Sequence, residues 1–202
     1  MTGRRLARQA LMPLTLVTAA SIAVVLTTRP AMALMYNQKD VEPAGHWQSM
    51  MLSLGEERIY RASNRYDMPG TAFSVDFAPP ECQPRLELRV DMGEIASRDE
   101  TASAEATLRI DRETPHGGPA TLAKERGDSG AYVSLTIAAP YRLLHELNVG
   151  DTLRLEIDDG IEPWYLSFQL PGAAIALDRA ARLCHEASTA PVDEDRPTAD
   201  YF

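Results

Sequence analysis

The sequence predicts a mainly β fold, an antiparallel β-sandwich-like domain with one short helix and one C-terminal helix. Three observations predict it. Apolar residues recur at every second position through most of the chain after residue 46, and turn residues separate these runs. Two segments late in the chain switch to a helical period. Strict alternation leaves one strand face dry and the other wet, as antiparallel sheets require.

The chain opens on a different pattern. Arg4, Arg5 and Arg8 form a basic start, Leu11 to Leu26 is apolar and uncharged, and Ala31-Met32-Ala33 is a small-x-small site. In that order these are the parts of a secretory signal peptide. The apolar run holds Pro13 and falls short of the roughly 20 residues of a spanning helix, which favours cleavage over anchoring. The Arg pair fits the general export route and leaves a twin-arginine route open. Residues 1–33 are therefore expected to be removed, with 34–45 as a flexible lead-in, 46–186 as the β-rich domain and 187–202 as an acidic, disordered tail.

Within the domain the expected strands follow in order. Trp47–Leu54 and Arg58–Ser63 flank a turn at Gly55-Glu56-Glu57. Phe73, Val75 and Phe77 alternate with polar residues, as do Leu86, Leu88, Val90 and Met92. Leu108 and Ile110 flank Arg109, and three more alternating runs cover Val133–Ile137, Leu153–Ile157 and Trp164–Leu170. Turns are expected at Met68-Pro69-Gly70, Ala78-Pro79-Pro80, His116-Gly117-Gly118-Pro119 and Asp158-Asp159-Gly160. Pro140 to Leu147 reads as a helix with proline at its first turn. Ala173 to His185 reads as a longer one, with Ala173, Ala176, Leu177, Ala180, Leu183 and Cys184 on one face. On its other face Asp178 and Arg182 are one turn apart and expected to pair.

Charge and cysteines bound the setting. Of the 20 Lys and Arg, four lie in residues 1–33, which leaves 16 against 29 acids and a formal charge of −13. Such a surface repels nucleic acid and anionic headgroups. The two cysteines, Cys82 and Cys184, are expected to form one structural disulfide in an oxidising compartment.

The order Leu143-Leu144…Leu147, Gly150, Leu153–Ile157, Phe168-Gln169-Leu170, Gly172, Ala176-Leu177…Ala181…Cys184 resembles small exported proteobacterial proteins of the invasion-associated locus B type and their relatives near type VI secretion clusters. The likeness covers residues 140–184, about a quarter of the chain after residue 33. Trp47 matches a tryptophan often found early in that family, while the family's frequent second pair of cysteines is lacking. The resemblance implies a β-sandwich-like body, a structural disulfide and an exported location. It carries no catalytic residue over to this chain.

Several motifs could carry chemistry. Gly127-Asp128-Ser129-Gly130 spells the nucleophile string of trypsin-like proteases, with His46 and Asp76 or Asp91 as nominal partners. Ala131 stands where that string continues with glycine, and His46 lies too near the start for that fold. A tight turn accounts for the same residues. Arg126-Gly127-Asp128 overlaps it as an adhesion tripeptide that a hairpin tip explains equally well. His46, His116, His145 and His185 lack metal-ligand spacing, and Asp158-Asp159-Gly160 with Glu162 lacks the ligand loop of a calcium site. The sequence thus nominates no catalytic, metal or cofactor residues and implies no cofactor. Its expectation is a periplasmic or secreted, non-catalytic envelope binding protein whose partner, ligand and oligomeric state it leaves open. The alternatives are a serine hydrolase using Ser129 with His46, or a secretion or assembly accessory.

Overall fold

The computed structural model describes residues 36–64, 67 and 69–189. The expected signal peptide, Ala33 included, and all of the tail beyond Thr189 lie outside them. The described residues form ten strands and two helices: β1 (Asn37–Ala44), β2 (Trp47–Leu54), β3 (Glu57–Asn64), β4 (Thr71–Phe77), β5 (Pro84–Asp91), β6 (Glu100–Ile110), β7 (His116–Lys124), β8 (Gly130–Leu135), α1 (Pro140–Val149), β9 (Thr152–Asp158), β10 (Trp164–Gln169) and α2 (Ala173–Thr189). All ten strands belong to one sheet in the order β1-β2-β3-β4-β5-β8-β7-β6-β9-β10, and each neighbouring pair is antiparallel. The first five strands are a meander. The hairpins β6-β7-β8 then fold back so that β8 lies beside β5, a Greek-key arrangement.

The sheet is sandwich-like and unclosed, with β1 and β10 as its edges. Its ends are nonetheless tied. The Trp47 Nε1–H and the Asn64 side-chain amide both donate to the Gln169 carbonyl, at 2.9 and 3.2 Å, and the His46 N–H donates to the Pro171 carbonyl at 2.9 Å. The seam needs two glycines. A Cβ on Gly45 would lie 2.5 Å from the Pro171 carbonyl oxygen, and one on Gly172 would lie 1.7 Å from that of Ala44.

The alternating apolar residues of β4, β5, β8, β9 and β10 meet on one face, where Phe73 meets Trp47 edge to face, with ring centroids 6.2 Å apart, and Phe168 at a tilt, 5.8 Å away. α2 covers the β2–β3 part of this face with its small-residue stripe: Ala173, Ala176, Leu177, Ala180 and Cys184 are buried, and Leu183 packs beside them. Alanines let the helix axis approach the strands closely, which suits a helix lying inside a curved sheet. The disulfide joins Cys82, in the β4–β5 loop, to Cys184, with Cα atoms 5.9 Å apart. The expected pairing holds, and it pins α2 to the β4–β5 loop.

Four local expectations are corrected. Residues 34–45 are not all lead-in, because Asn37–Ala44 is the edge strand β1; its side chains are almost all exposed, so no alternation reveals it. His116-Gly117-Gly118-Pro119 opens β7 instead of making a turn. Gly118 is needed there because a Cβ would meet the Thr136 carbonyl oxygen at 2.0 Å, and the Pro119 carbonyl accepts the Thr136 N–H at 3.0 Å. α2 runs three residues past Glu186, where the Ser188 and Thr189 hydroxyls donate to the Cys184 and His185 carbonyls at 2.9 and 3.1 Å. Arg182 pairs with Glu186, at 2.8 Å, instead of Asp178. Among the described residues no helix is long and apolar enough to cross a membrane.

Candidate functional site

Ser129 lies in the turn between β7 and β8, which Asp128 holds together. The Asp128 carboxylate accepts the Gly130 N–H at 2.7 Å, the Tyr132 hydroxyl at 2.5 Å and an Arg89 N–H at 3.3 Å. The Tyr132 hydroxyl and the Gly130 N–H, with Arg89 adding its charge, hold this carboxyl below the usual range. The Gly127 N–H donates to the Ala96 carbonyl and the Ala96 N–H to that of Asp128, both at 2.9 Å. The turn reading of Gly-Asp-Ser-Gly therefore stands. The aspartate of the overlapping adhesion tripeptide is occupied within its own chain.

Of the two aspartates nominated beside Ser129, Asp91 does lie near it. Gly93 N–H donates to Asp91 at 2.9 Å and, with the Ser129 hydroxyl, holds its carboxyl low. Asp76 lies elsewhere. It takes a two-pronged hydrogen bond from Arg61, with both distances 2.7 Å, and Arg61 also reaches Glu87 at 2.8 Å. Burial pushes the Arg61 guanidinium down, but these two carboxylates outweigh it and raise it overall.

The imidazole nominated as base takes a different partner. His46 Nδ1 is 2.8 Å from Asp67, which also accepts the Asn64 side-chain amide at 2.9 Å and the Gln169 N–H. This seam was not foreseen, because His46 and Asp67 come from two loops and their spacing carries no signal. The Asn64 amide donates twice, to Asp67 and to Gln169, while its buried Oδ1 accepts no hydrogen bond. Among the described residues no hydrogen bond links His46 to Ser129. A triad needs its nucleophile on the base and the base on its orienter; here the second link exists and the first does not.

The remaining histidines separate into one buried and two exposed. His116, at the start of β7, donates from Nε2 to Glu146 on α1 at 2.7 Å, and Arg142 donates to the same carboxylate at 2.9 Å. Burial pushes the Glu146 carboxyl up, but the His116 and Arg142 hydrogen bonds prevail and lower it. His145 and His185 are exposed on the two helices. In the β9–β10 turn, Asp158 accepts the Gly160 N–H at 2.9 Å and Asp159 accepts that of Ile161 at 3.0 Å. These aspartates serve as turn acceptors. Among the described residues no three His, Cys, Asp or Glu side chains gather as metal ligands.

One surface was not nominated at all. The outer face of β6, β9 and β10 borders a shallow cavity of about 440 Å³ that includes Arg109, Arg154 and Ser167. Arg109 stands directly opposite Arg154, and Arg154 opposite Ser167.

No family model, curated protein or solved structure matches this chain.

Proposed function

We propose that this chain is exported and acts in the periplasm or outside the cell as a non-catalytic binding protein of the envelope. The observation that supports it most is the Cys82–Cys184 bridge, with both cysteines buried. Such bonds persist in oxidising compartments, and the residues before Leu34 have the order of an export signal. The apolar spacing of residues 140–184 adds the resemblance to the invasion-associated locus B type. The binding reading gains from the way the nominated chemical groups are used. Ser129 belongs to a turn, His46 to the seam, and His116 to a helix–strand clasp.

The test uses oxidised protein from Leu34 onward. An activity-based fluorophosphonate should leave it unlabelled, and immobilised protein should retain a specific envelope component that a reduced, unfolded control does not retain. Labelling abolished by Ser129→Ala would overturn the reading in favour of a serine hydrolase. Failure to retain any component would also count against it. The intact mass of the exported chain checks the location: it should begin at Leu34 and be two hydrogens lighter than the reduced form.

A further inference from the structure

The outer face of β6, β9 and β10 carries a feature that folding alone does not account for. Two rows of side chains cross these three strands. One is Arg109, Arg154 and Ser167; the other is Thr107, Glu156 and Tyr165. Like charges directly opposite on a sheet face destabilise it, and the first row places two guanidinium groups in that relation. The chain has more acids than bases, so a shortage of carboxylates is not the cause. Yet among the described residues neither arginine makes an ion pair. Arg109 reaches only the Arg112 carbonyl, at 3.5 Å, and Arg154 only that of Asp111, at 3.2 Å. The one carboxylate of the second row, Glu156, accepts the Tyr165 hydroxyl at 3.2 Å.

We propose that Arg109, Arg154 and Ser167 form a binding site for a small solute bearing a carboxylate or phosphate group. The proposal rests on the binding reading above and names a ligand chemistry for it. Guanidinium forks match the paired oxygens of both groups, and a bound anion relieves the repulsion between the two arginines. The surrounding charge decides the size of the ligand. With a formal −13 over the chain after residue 33, a polyanion such as nucleic acid, or an anionic membrane, meets repulsion over many contacts. A single anionic group is governed by charges within roughly 8 Å, the screening length at physiological salt. Glu156 lines the same cavity and accepts the Tyr165 hydroxyl, so the two arginines outnumber one carboxylate and the anionic group belongs on the Arg109–Arg154 row, with the Thr107 and Tyr165 side chains beside it for the polar body of the solute.

The experiment titrates the oxidised protein with inorganic phosphate and, separately, with acetate, at constant ionic strength set by chloride. It reads backbone amide NMR shifts and thermal midpoint. Saturable shifts confined to β6, β9 and β10 are expected with at least one anion, and the one that saturates first names the preferred group. Arg109→Gln and Arg154→Gln should each weaken binding about tenfold or more, the loss of a charge-assisted hydrogen bond. In chloride alone these variants should be as stable as the parent or more so, because a repulsion is removed. Arg58→Gln, at an exposed arginine on β3, should bind like the parent. Shifts that fail to saturate with either anion, or arginine variants that bind like the parent, would overturn the proposal. Recovery of an envelope component in the earlier test would then still stand, so the two failures are distinguishable.

Discussion

Gly172 shows how much one missing side chain can hold. Its φ is +100°, a conformation that L residues rarely adopt, and its Cα faces the Ala44 carbonyl across the seam between the β1–β2 turn and the start of α2. The obstruction is backbone, so no rotamer change relieves it. Gly55 offers the comparison, because its φ is also positive, at +58°, but nothing lies within 4 Å of where its Cβ would stand. Gly55→Ala should therefore cost only the left-handed penalty, about 1 kcal/mol. Gly172→Ala should cost about 3 kcal/mol, from strain and steric conflict together. Urea unfolding of the two variants beside the parent checks this. Equal losses would mean that the seam yields freely.

At the scale of elements, α1 is clasped to β7 through Glu146, whose carboxylate takes hydrogen bonds from both His116 and Arg142. Its folded-state pKa is lowered, so its contribution is fully present above the ordinary glutamate value of about 4.3 and fades as pH falls through the lower folded value. Glu146→Ala leaves the buried His116 donor without its acceptor and should cost about 2 kcal/mol near neutrality. The gap between variant and parent in urea midpoint should narrow as pH drops below the ordinary carboxylate range; a gap constant with pH would deny the charge its role. The same clasp marks where reading the sequence stops. β5 and β9 were legible because one face of each is dry, β4 because its apolar residues alternate with polar ones although Ser74 and Asp76 are buried as well, and α2 because its small residues repeat at helical spacing. β7 was not, because Gly117-Gly118-Pro119 carries turn chemistry and only the close approach of Thr136 shows why glycine is needed. β1 was not, because an exposed edge strand has no buried face to alternate with. The His46–Asp67 contact joins loops, and the Arg109–Arg154 row depends on the register of β6 against β9. Neither relation can be read along a single segment.

For the molecule as a whole, the governing contact is between its late helix and its early strands. α2 is the last described element, yet it packs on β2 and β3 and ties β1 through Arg179, which reaches Glu42 at 2.7 Å and the Asp40 carbonyl and Ser49 hydroxyl at 3.1 Å. Because every such contact is long-range, the unfolded chain must close a large loop to make them. The Cys82–Cys184 bridge, spanning 102 residues, removes much of that entropy from the unfolded state. Chain-entropy reasoning puts a bridge of this span at roughly 4.7 kcal/mol, and native disulfides typically contribute about 2–5. The double variant Cys82→Ala, Cys184→Ala should lose about 4 kcal/mol in urea. The loss should also be uneven. Hydrogen exchange in α2 should accelerate most, because the bridge anchors its C-terminal half, while β9 retains its β6 and β10 partners and should change least. If the variant keeps both the parent's urea midpoint and its α2 protection, the alanine face and Arg179 hold the helix unaided, and the bridge adds nothing to the stability of the fold.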